Sequence, residues 1–90
     1  MTTVREILNV HDSNSATVLH ETANNLERDA ELVLDFSALR RLDSSAVREL
    51  EILADIADER SAKLSLRGLN IDGYKTLKLM KLAHRFSFVD

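Results

Sequence analysis

Along this 90-residue chain the spacing of apolar residues changes several times, and each change predicts an element. The first stretch, Val4 to Val10 ("VREILNV"), is rich in β-formers, and the turn-prone "HDSNS" follows it. From Ser15 to Arg28 the apolar residues Ala16, Leu19, Ala23 and Leu26 recur three and four apart, which predicts a helix with His20, Glu21, Asn24 and Glu27 outward. "ELVLDF", Glu31 to Phe36, is a short apolar run without helical period, as expected of a central strand covered on both faces. Val47, Leu50, Leu53, Ala54 and Ala57 then mark the buried stripe of a second helix lasting to about Arg60, and Ile52 and Ile56 widen it on one flank.

"AKLSLRGL", Ala62 to Leu69, alternates Leu64 and Leu66 with Lys63, Ser65 and Arg67, the pattern of a more exposed strand. "NIDGYKTLKLMKLA" predicts a third helix with Tyr74, Leu77 and Met80 inward, and "RFSFV" an edge strand. This order predicts one α/β domain over residues 1–90, with a central mixed sheet of about four strands, three amphipathic helices and right-handed crossovers. Proline is absent and there are two glycines, so the turns fall to Asp, Asn and Ser.

Composition narrows the function. With 44% hydrophobic residues the chain supports one small core, and a site is expected on its rim rather than in an enclosed cavity. There is no cysteine, hence neither a disulfide framework nor a thiolate nucleophile, and no apolar run long enough to span a membrane. The first ten residues, "MTTVREILNV", lack the basic-then-apolar order of a secretory signal, so the cytoplasm is the expected location. Twelve basic against fifteen acidic residues give a formal charge of −3, which argues against nucleic acid as a partner. The basic residues are scattered apart from Arg40 and Arg41 and a carboxy-terminal group, Lys75, Lys78, Lys81, His84 and Arg85, which reads as a solvated helix face or an attraction for an anionic surface.

Three kinds of chemistry fail on spacing. "HETAN" begins like a zinc-protease helix, but Asn24 stands where the second histidine belongs, so no metal site is expected. "DSSAV" lacks the glycine-flanked turn of a serine nucleophile, and no glycine loop is present to cradle phosphates. An enzyme is not expected, and no cofactor. The remaining candidate is "RRLDSSAVREL", which sets Asp43, Ser44 and Ser45 where the helical pattern begins. The simplest account of such a serine is an N-cap, satisfying an orphan backbone N–H.

These residues carry a resemblance. "LVLDFSALRRLDSSAV", followed by "KLSLRGLNIDGYKTLKLMKLAHRFSFV", resembles the STAS domain of anti-sigma factor antagonists and sulphate transporter tails. The shared features are a strand ending near Asp35, a loop of about seven residues, an Asp-Ser-Ser-Gly-type signature opening a helix, a further strand and an amphipathic third helix. Two departures stand out: Ala46 replaces the signature glycine, and one strand rather than two precedes the first helix.

The resemblance implies a protein partner, an anti-sigma factor serine kinase that phosphorylates Ser44, and a phosphatase that reverses the mark. It aligns Asp12 with the family's acidic turn residue. The implied partner surface is Asp12, Asp43, Ser44, Ser45, Val47, Arg48, Ile52 and Ile56. On this reading Asp43 positions Ser44, while Ser45 is chiefly local structure. Ile52 and Ile56 are open to two roles, core against the third helix or the apolar centre of a docking surface. Arg40 and Arg41 are either partners for the phosphate or solvated loop residues. A second branch of the family is also similar, in "LSLRGLN" and "YKTLKLMKL": the small STAS subunit that binds the ATPase of bacterial phospholipid-trafficking ABC transporters. That subunit is a constitutive module. Neither branch implies membrane insertion.

Overall fold

The computed structural model describes residues 5–89, and Val4 of the expected first strand lies outside them. In chain order the elements are β1 (Arg5–Asn9), α1 (Ser15–Asn25), β2 (Glu31–Asp35), α2 (Ser44–Arg60), β3 (Lys63–Arg67), α3 (Ile71–Leu79), a short 3₁₀ turn (Ala83–Arg85) and β4 (Ser87–Val89). The strands form one sheet in the order β1-β2-β3-β4. All three pairings are parallel, so the sheet is not the mixed one expected. A helix separates each pair of successive strands, and every strand therefore starts from the same end.

Register explains which side chains are buried. Leu8, Leu34, Leu66 and Phe88 lie side by side across the sheet, and Leu32 pairs with Leu64. Leu32, Leu34, Leu64 and Leu66 join Leu19, Ala23, Leu50, Leu53, Ala54, Ala57 and Leu77 of the helices in one core. Tyr74 of α3 meets Phe88 edge to face at 5.2 Å, which places α3 on the same side. Ile7, Val33, Ser65 and Ser87 line the opposite face, and no described helix packs on it. The expectation of β2 covered on both faces thus holds on one. Val33 is still buried, because an interior strand is shielded by neighbours on both sides.

The helices follow the predicted stripes, with one exception. Leu50 and Leu53 are fully buried, as is Leu77, but Tyr74 and Met80, expected inward, are 42% and 53% exposed. Helix α3 ends at Leu79, so Met80 caps it and no longer follows the helical rotation. Turns without glycine use left-handed backbone at Asp29, Ser61 and Lys81, at about 1 kcal/mol each. At Ser61 the backbone N–H closes α2 on the carbonyls of Ala57 and Asp58.

Candidate functional site

A parallel sheet brings the carboxyl ends of all its strands to one edge of the molecule, and three loops converge there. The loop after β2 holds the signature. Asp43 has extended backbone, and its carboxylate accepts the Ala46 N–H at 2.9 Å. Asp43 is therefore the N-cap of α2, not a serine. Ser44 and Ser45 occupy the first helical turn, both exposed, and among the described residues neither hydroxyl has a hydrogen-bond partner. Ala46 is fully buried, so its methyl fills core space where the family signature has glycine.

Side chains from the other two loops hold the signature loop in place. The Asp12 carboxylate, in the turn after β1, accepts the backbone N–H of Arg40 at 3.2 Å and of Arg41 at 3.3 Å. Asn70, in the turn after β3, donates through Nδ2 to the Arg40 carbonyl at 3.1 Å, while its Oδ1 accepts the Gly73 N–H at 2.7 Å and caps α3. One amide side chain thus starts a helix and steadies the neighbouring loop. Gly68 completes the junction: its φ is +70°, and a Cβ placed there would stand 2.8 Å from the Ser37 Cβ. Asp35 ends β2 and accepts the Ser37 hydroxyl at 2.5 Å and the Ser37 N–H at 2.9 Å. These bonds, the hydroxyl first, hold its carboxyl below the usual carboxylate range, with a smaller contribution from the Arg67 charge.

The expected partner surface divides. Ser44, Arg48 and Ile52 lie four residues apart along α2 and are all exposed, forming a row of hydroxyl, guanidinium and aliphatic side chain. Ile52 is 40% exposed. Val47 is buried: it points into the core one residue beyond Ala46 and cannot face a partner. Ile56 is half-buried and packs against the core, which answers its two roles chiefly in favour of structure. Asp12 faces the signature loop with its carboxylate committed to backbone amides.

Gly68 and Asn70 escaped the sequence reading. Asn70 stands three residues before a glycine at the start of a helical pattern, a visible cap signal, but its second bond crosses to another loop. Beside these residues a shallow groove of about 570 Å³ is lined by Asp35, Ser37, Asn70, Ile71, Tyr74 and Phe88.

Among the described residues no group of three or more His, Asp or Glu side chains could hold a metal ion, and no helix is long and apolar enough to cross a membrane. His20 meets Glu49 of α2 at 3.3 Å, one helical turn beyond Ser45, with the imidazole exposed.

An exposed, capped helix start, braced by two loops at the carboxyl edge of a parallel sheet, defines a small α/β module. The family model described as "Mlab, STAS domain" matches residues 7–89, and the chain belongs to the STAS domain family. Its fold is similar to a crystal structure at 1.59 Å of a proposed anti-sigma factor antagonist from Thermotoga maritima, with a TM-score of 0.72 at 16% identity. That match covers 94% of this chain and 73% of the other. No curated protein sequence matches the chain.

Proposed function

We propose that this protein is a regulatory, non-catalytic interaction module, an anti-sigma factor antagonist switched by phosphorylation of Ser44. The observation that carries the reading is the free Ser44 hydroxyl. Because Asp43 already caps α2, Ser44 is not needed for helix initiation, and its Oγ is open to a kinase. The kinase would transfer the γ-phosphoryl group of ATP to that oxygen, forming the O–P bond as the β-γ bridge breaks, with ADP leaving and the hydroxyl proton taken up by a base of the kinase. A phosphatase reverses the step by hydrolysis.

The physical effect is local. Phosphate adds about −1.5 to −2 charges at a helix N-terminus, where the dipole favours them, so the fold is retained. Arg48, one turn on, is in position to meet it. A partner seated over the row Ser44, Arg48 and Ile52 would then face a dianion beside Asp43 where it had met a neutral hydroxyl. Desolvating that charge costs several kcal/mol, which breaks the complex.

The test is phosphate mapping after incubation with the cognate anti-sigma kinase and ATP, followed by partner binding. Phosphate is expected on Ser44, Ser44→Ala abolishes incorporation, and Ser44→Asp weakens binding by about 1 to 3 kcal/mol, roughly five- to 150-fold. Phosphate on Ser45 would overturn the assignment within the signature.

A second reading has its own support in the matched family description, Mlab, and in Ala46 at the signature glycine. It is the constitutive STAS subunit of a phospholipid-trafficking ABC transporter, bound to the ATPase. Equal binding of wild type, Ser44→Ala and Ser44→Asp to an ABC ATPase selects it. Neighbouring genes separate the two cheaply: an anti-sigma kinase and phosphatase, or an ABC ATPase and permease.

A further inference from the structure

Two surfaces at the end of the molecule remote from the signature are complementary to each other. The first is an open groove of about 700 Å³ between α1 and the starts of β1 and β2. Its floor is apolar, made by Leu8, Val18, Leu26 and Leu32. Its rim carries five carboxylates, Glu6, Glu21, Glu27, Asp29 and Glu31, against one guanidinium, Arg28. The second surface is the far end of α3. Leu79 is 82% exposed and Met80 53%, two adjacent aliphatic side chains in water, and Lys75, Lys78 and Lys81 surround them, all exposed. An aliphatic pair of that exposure is the kind of patch that marks an interaction site.

The two surfaces sit at opposite edges of the sheet. The groove lies along β1, α3 lies beside β3 and β4, and three strand spacings, about 14 Å, separate the outer strands. Neither surface can pair with its own copy, because acidic rim would meet acidic rim and lysine would meet lysine. Each fits the other on a second molecule.

We propose that copies of this chain associate head to tail, the Leu79 and Met80 end of α3 of one copy entering the acidic groove of the next. Leu79 and Met80 cover the apolar floor, and the lysines meet the rim carboxylates. Such a contact is heterologous and does not close on itself by a two-fold axis, so it adds copies as concentration rises. Much of its attraction is between exposed charges, and salt weakens it. The signature end stays free throughout, so the association is independent of the role of Ser44.

Sedimentation velocity of the full chain over a concentration series tests this. The weight-average mass of wild type is expected to rise with concentration at low salt and fall as salt is added. Two charge-reversed variants, Lys75→Glu with Lys78→Glu and Glu21→Lys with Glu27→Lys, should each self-associate about tenfold more weakly. Mixed in equal amounts they should associate more strongly than either alone, since the intact groove of one accepts the intact α3 end of the other and the reversed charges face each other at the remaining contact. Leu79→Ser, which leaves every charge in place, should weaken association by a similar factor, and circular dichroism of each variant should match wild type. A wild type that stays monomeric throughout overturns the proposal, including one that instead binds anionic vesicles. So does a mixture of variants that associates no more than either alone, or a lysine-reversed variant that associates like wild type.

Discussion

Helices α2 and α3 have the same design in sequence and different fates in the fold. Each begins with a short polar side chain that caps it, Asp43 on the Ala46 N–H and Asn70 on the Gly73 N–H, and each carries apolar residues at helical spacing. Over 17 residues α2 buries Ala46, Val47, Leu50, Leu53, Ala54 and Ala57; over 9 residues α3 buries Gly73 and Leu77. The reason is position. Helix α2 packs beside α1 and over the middle of the sheet, whereas α3 lies over the three-residue strand β4 at an edge. Apolar periodicity therefore names a face without saying whether anything in the chain will cover it.

The sharpest way to break the comparison is to truncate the buried helix. Leu53→Ala should cost about 2 to 5 kcal/mol in urea unfolding, because Leu53 is fully buried and the cavity cannot collapse under a packed sheet. A loss below about 1 kcal/mol would mean that α2 is held by something other than its stripe. Next comes the hinge that attaches α3. Gly68→Ala should destabilise by about 1 to 3 kcal/mol, since it forces a left-handed alanine against Ser37.

The caps come third. Asp43→Ala and Asn70→Ala should each cost about 1 kcal/mol, with Asn70 the larger because it also holds the Arg40 carbonyl; thermal melts of the two variants give the difference directly. Smallest is the exposed end of α3: Leu79→Ser should change stability by less than about 0.5 kcal/mol in the monomer at low concentration. A larger loss there would show that α3 packs as α2 does.

Much of the fold was legible in advance because its signals are local. Leu64 and Leu66 alternate with polar residues, and both are buried on β3. Leu19, Ala23 and Leu26 of the first stripe are buried as spaced, and the signature does open α2. The site was less legible. Ser44 was placed at the helix start, yet which residue caps it depends on backbone angles at Asp43 that composition does not reveal. Val47 illustrates the reverse problem: adjacent to the signature in sequence, it is turned away from the surface by helical rotation.

By itself, then, the sequence determined where strands and helices form and which side of α1, α2 and β3 meets the core. Periodicity and caps act over three or four residues, within reach of the chain's own geometry. Only the tertiary structure decided that every strand runs parallel, that Asp12 reaches the amide of Arg40 across 28 positions, and that Asn70 reaches its carbonyl across 30. It also decided that Tyr74 and Met80 face outward. Contacts so far apart in the chain form because the crossovers return each loop to the same end of the sheet, and no local pattern of residues records where that return brings them.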